Sequence, residues 1–104
     1  MLDNRLAIIN KDLGYDFETI TAADAAIGLT AAKLTTTPRP ISALITCESA
    51  TCRYRYDGTD PSATVGHELL PTGGLVIEGI GNMKLIKFIR KGATSATLSV
   101  TYRR

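Results

Sequence analysis

From Phe17 onward the chain repeats short runs rich in threonine, isoleucine, valine and tyrosine, each cut off by glycine, proline, serine or aspartate. β-Branched and aromatic side chains suit a pleated, half-buried surface, and the interrupting residues carry turn chemistry. Short strands at this spacing predict an all-β domain, a single antiparallel β-sandwich of jelly-roll-like type over 17–104 preceded by an N-terminal arm over 1–16. Strands are expected near 17–21, 27–34, 41–47, 52–57, 66–70, 74–78, 84–90 and 96–102. The two prolines of "TTTPRP" donate nothing to a ladder and mark a loop between the second and third strands. The stretch "ITAADAAIGLTAAKL" is ambiguous: its alanines favour helix, while Thr21, Ile27, Gly28 and Thr30 do not. It reads as strand, loop, strand, and a short helix there would leave the fold class unchanged.

With 104 residues there is room for one domain, which buries roughly two-thirds of its unfolded surface. The composition, 44% hydrophobic and 21% charged, is that of a globular chain and too balanced for a disordered one. The net charge of +2 gives only a weak pull toward anions, so no specific nucleic-acid partner is expected. No apolar run approaches the roughly 20 residues that cross a bilayer, and "MLDNRLAIINKDLGYD" lacks the pattern of a secretory signal, so neither a membrane partner nor export is expected.

Two cysteines are too few for a disulfide scaffold or a four-ligand zinc site. If Cys47 faces Cys52 across the turn "ESAT", Ile45 meets Tyr54 and Ala43 meets Tyr56 on one apolar face, while Thr46 meets Arg53 and Leu44 meets Arg55 on the other. That hairpin explains the alternation in "RYRY" with the tyrosines in the core, and it allows a disulfide, although two buried thiols are the expected state in a cytosolic product. A second hairpin is expected in "MKLIKFIRKGATSATLSVTYRR", with the reversal at Gly92 and Leu98, Val100 and Tyr102 alternating with Thr97, Ser99 and Thr101. Those small hydroxyl side chains suit a protein partner as well as water.

Reactive groupings were sought in the same residues. Catalysis by a nucleophile needs a base and an orienting group, and the single histidine, His67, has neither at any informative spacing, so it reads as a surface residue. Asp57, Asp60 and Glu68 suggest an oxygen-ligand calcium loop, against which stands ordinary turn chemistry: Asp57 precedes glycine and Asp60 precedes proline. "GGLVIEGIGN" has the glycines of a phosphate loop without the lysine-serine or lysine-threonine pair, and with no helix expected to follow. No enzyme, cofactor or metal is therefore expected. The candidates left are contacts with partners: Leu6, Ile8 and Ile9 on the arm, too short a patch to fold alone, and Arg53, Arg55, Arg103 and Arg104.

Read as one unit, "ISALITCESATCRYRYDGTDPSATVGHELLPTGGLVIEGIGNMKLIKFIRKGATSATLSVTY" resembles the small β-sandwich accessory proteins of tailed-bacteriophage virions, over about residues 26–102. The elements that carry the likeness are "ALIT", "RYRYDGTDPSATVGHEL", "GGLVIEG" and "KFIRKG…ATLSVTY". Such proteins decorate or cement the head, or serve at the neck or tail, and no catalytic motif comes with the resemblance. It implies a non-enzymatic virion protein, made in the host cytoplasm, that self-associates and binds the major capsid protein or another virion protein. The alternative is a neck or tail accessory protein, or a carbohydrate- or receptor-binding module using the 57–73 loop. The absence of tryptophan and an aromatic content of 6% count against the glycan reading.

Overall fold

The structure, a computed structural model, describes residues 13–104. Eight strands and two short helices follow in order: β1 (Gly14–Ala22), β2 (Ile27–Gly28), α1 (Ala31–Thr35), β3 (Ser42–Glu48), β4 (Cys52–Arg55), β5 (His67–Leu69), β6 (Gly74–Glu78), α2 (Ile80–Leu85), β7 (Lys87–Arg90) and β8 (Ala96–Arg103). They build a small β-rich domain of two four-stranded sheets, ordered β1-β8-β3-β6 and β2-β7-β4-β5. Every pairing is antiparallel.

Both sheets feed one buried cluster. From the first come Ala43, Ile45, Cys47, Leu98, Val100 and Tyr102, and from the second Cys52, Leu69 and Phe88. Strict alternation explains this on β8, where Ala96, Leu98, Val100 and Tyr102 point inward and Thr97, Ser99, Thr101 and Arg103 point out. The same period holds on β3, which buries Ala43, Ile45 and Cys47 and exposes Leu44, Thr46 and Glu48.

Neither expected hairpin forms. β3 lies in the first sheet, where Ile45 pairs with Leu75 and Val100, and β4 lies in the second, where Tyr54 pairs with His67 and Phe88. Residues 49–51 therefore arch from one sheet to the other, with Ser49 at φ 82. The inward parity was right although the pairing was wrong, because alternating side chains share a face in a hairpin and meet across the core in an arch. Tyr56 falls beyond the end of β4 and is exposed, not buried opposite Ala43. The chain from β7 to β8 likewise changes sheets, since β7 pairs with β2 and β4, and β8 with β1 and β3. Cys47 and Cys52 are both buried free thiols at the two feet of the first arch.

The first helix replaces the end of the stretch 27–34 read as strand, and the second fills the gap between the expected strands 74–78 and 84–90 and takes the first residues of the latter. After two residues of β2, Ala31–Thr35 coil so that Leu34 drops into the core, and Ile80–Leu85 coil to bury Met83. A helix thus does follow "GGLVIEG". It starts after Gly79, whose φ of 90 is open to glycine and strained for other residues.

Candidate functional site

The outward arginines of β4 are occupied within the chain. Arg53 donates from Nε to the Ala63 carbonyl at 3.0 Å and from Nη1 to the Gly66 carbonyl at 2.8 Å, and its Nη2 lies 3.7 Å from Glu68. Gly66 sits where an added Cβ would meet the Tyr54 carbonyl oxygen at 3.1 Å, so the loop can press against β4 only with glycine there. Arg55 grips Asp57 with two bonds of 3.1 and 2.5 Å. That guanidinium holds the Asp57 carboxyl below its usual range, and Lys91, 3.0 Å from Glu68, does the same there. Asp60 in turn meets Lys87 at 3.2 Å. Each carboxylate considered for calcium thus has a protein cation as neighbour. Among the described residues no group of three or more histidine, cysteine, aspartate or glutamate side chains gathers to hold a metal. His67 is exposed, with its ring centroid 5.3 Å from that of Tyr54.

Arg103 and Arg104 lie on the first sheet, apart from Arg53 and Arg55 on the second. Arg103 donates to the Ser42 hydroxyl at 3.1 Å, and the Arg104 guanidinium stacks 4.7 Å from the Tyr15 ring centroid. Leu6, Ile8 and Ile9 lie outside the described residues. Nearby, a network that sequence reasoning missed fastens β1 to α1: the half-buried Glu18 carboxylate accepts from the Tyr102 hydroxyl, the Thr30 hydroxyl and the Thr30 amide, and Asp16 pairs with Lys33 at 3.0 Å. Only the outward-inward parity of β1, placing a carboxylate on the core side, could have signalled it.

Two surfaces remain that internal bonding does not consume. The first is the outer face of the β1-β8-β3-β6 sheet. Register aligns Phe17, Thr101, Leu44 and Val76 in one row across all four strands, and Thr19, Ser99, Thr46 and Gly74 in the next. Phe17 is 56% exposed, Val76 48% and Leu44 38%. These two rows carry no charged residue; charge returns only beyond them, at Glu48 on one side and at Arg103 and Glu78 on the other. With strands about 4.8 Å apart, the row is roughly 14 Å wide. Sequence reading found its hydroxyl members Thr97, Ser99 and Thr101 but put Leu44 opposite Arg55, because the row exists only once the strand order is known.

The second surface is a groove of about 520 Å³ at the end of the same sheet. Leu13, Tyr15, Pro38 and Ile41 supply its apolar lining, and Arg39 and Arg104 its charged lining. The Tyr15 hydroxyl donates to the Pro38 carbonyl at 3.1 Å and sets one wall. No helix among the described residues is long and apolar enough to cross a membrane. Compared with protein-family models, with curated proteins and with solved structures, the chain finds no match.

Proposed function

We propose that the chain is a jelly-roll β-sandwich acting as a non-enzymatic structural protein of a tailed-phage virion, a decoration or cement protein that braces the head shell through the outer face of its first sheet. The order β1-β8-β3-β6 against β2-β7-β4-β5, with both links β3–β4 and β7–β8 passing between sheets, is the order a doubly folded eight-strand ribbon produces, and it supports the jelly-roll reading. The observation that carries the function is the uncharged row of Phe17, Thr101, Leu44 and Val76. Apolar and hydroxyl side chains spread flat over four strands suit another protein's surface, where charges would have to be desolvated. The resemblance of residues 26–102 to virion accessory proteins points the same way. The partner on this reading is the major capsid protein, and self-association with repeated modest contacts supplies tight holding by multivalency.

The test is binding of the purified protein to expanded capsids of its own virus, with their resistance to heat recorded. Wild type binds and raises resistance. Phe17→Asp and Val76→Lys, both at exposed positions, keep the fold by circular dichroism and lose capsid binding by roughly tenfold or more. Binding to tails or to soluble glycans in place of heads, or full capsid binding by both variants, overturns the proposal.

A further inference from the structure

We propose that the groove lined by Leu13, Tyr15, Pro38 and Ile41 receives the Leu6–Ile9 segment of a second copy, and that two copies exchange these segments reciprocally. The proposal deepens the self-association in the reading above, and rests on that reading only for its purpose. Its first ground is chemical fit. The groove joins apolar side chains to two guanidiniums, Arg39 and Arg104, and among the described residues its lining has no aspartate or glutamate side chain. Residues 1–12 bring apolar Leu2, Leu6, Ile8 and Ile9 to match that lining, with Arg5 and Lys11 balancing Asp3 and Asp12 in charge, so the fit lies in the apolar side chains.

The second ground is where the segment is rooted. Residue 13, the first after it, is itself a wall of the groove. Leu13 and Arg104 exchange two backbone hydrogen bonds of 3.0 Å, so the root is fixed to the end of β8. When donor root and acceptor groove coincide, a two-fold axis at this end brings each segment to the other copy's groove over the same short distance, which is the condition for a closed, self-complementary pair. From Leu13 back to Ile9 and Leu6 the extended chain spans at most about 14 to 25 Å, so the exchange requires the two grooves to lie that close across the axis.

The third ground is the neighbouring edge. β1 is the outer strand of its sheet, nine residues long, with no second partner strand among the described residues. Long unpaired edges invite another chain, and a second copy held at the groove would lie beside this one.

Sedimentation of the full chain over a range of concentrations tests the exchange. Wild type is expected to dimerise. Ile41→Asp in the groove, an exposed position, and the double variant Ile8→Asp with Ile9→Asp in the segment are each expected to weaken the dimer by roughly tenfold or more, with the fold checked by circular dichroism. Mixing the two variants is decisive. The first retains a sound segment and the second a sound groove, so the mixed pair keeps one good contact and associates more tightly than either variant alone. A wild type that stays monomeric at every concentration, a dimer indifferent to both variants, or a mixture no tighter than its components overturns the exchange. Because this readout needs no capsid, its failure and the failure of shell binding are seen separately.

Discussion

At the scale of single residues, Arg53 and Arg55 show how two neighbouring arginines of one strand can have unequal work. Arg53 is largely covered and donates to two loop carbonyls, so Arg53→Ala removes two charged hydrogen bonds that hold the loop and is expected to destabilise the fold by about 1 to 3 kcal/mol in denaturant unfolding. Arg55 pairs with an exposed aspartate, and Arg55→Ala should be too small to resolve in the same experiment. Equal effects would mean that the loop is held by something other than Arg53. The loop also has an acid limit. Asp57 and Glu68 have folded values below their unfolded ones, so their contribution is present above the ordinary carboxylate range near 4 and lost as pH falls through the lowered values. Amide protection over residues 57–68, corrected for the intrinsic exchange rate at each pH, should accordingly fall below about pH 4 before global unfolding.

At the scale of elements, the alternation of β3 separates the core from the proposed docking face on one strand. Ile45 is fully buried, and Ile45→Ala should cost about 2 to 5 kcal/mol, whereas Leu44→Ala should leave stability nearly unchanged and, on the proposed function, weaken capsid binding. Loss of stability at Leu44 with none at Ile45, by denaturant unfolding, would reverse the facing of the strand. This alternation was legible in the sequence, as were all eight strands and the inward placing of Cys47, Cys52 and Tyr54. Partnership was not legible, because a period of two reports which side a residue faces and nothing about which strand lies beside it. The short helices escaped for a related reason. Helices of five and six residues have no stability of their own, and they exist because Leu34 and Met83 find the core. The candidate face was half visible for the same cause: Thr97, Ser99 and Thr101 lie on one strand and can be counted, while Phe17 and Val76 join them only through pairings distant in sequence.

For the whole molecule, the core is sealed by groups that must stay neutral. Burial pushes the Cys52 thiol up to about 12, and burial with the Glu18 carboxylate alongside pushes the Tyr102 hydroxyl well above the usual phenol range. Both folded values exceed the unfolded ones, so the stability they confer is complete below the ordinary thiol range near 8.5 and is lost as pH rises through the folded values. Burial raises the Cys47 thiol as well, so stability by denaturant unfolding should be level through neutrality and decline above about pH 9, and in the double variant Cys47→Ala with Cys52→Ala the decline should begin later, near the tyrosine range around 10. An identical alkaline profile in the two proteins would remove the thiols from the account. One further property follows from the pairing of Leu13 with Arg104 at the open end of β1 and β8. Tension applied between those two residues would pull the antiparallel strands apart across their hydrogen bonds, breaking the bonds one after another like a zipper and never loading them together. Against such a pull the molecule is weak by geometry, so a shell that relied on it under pressure would have to transmit the load through the broad sheet face, where force is shared by four strands at once.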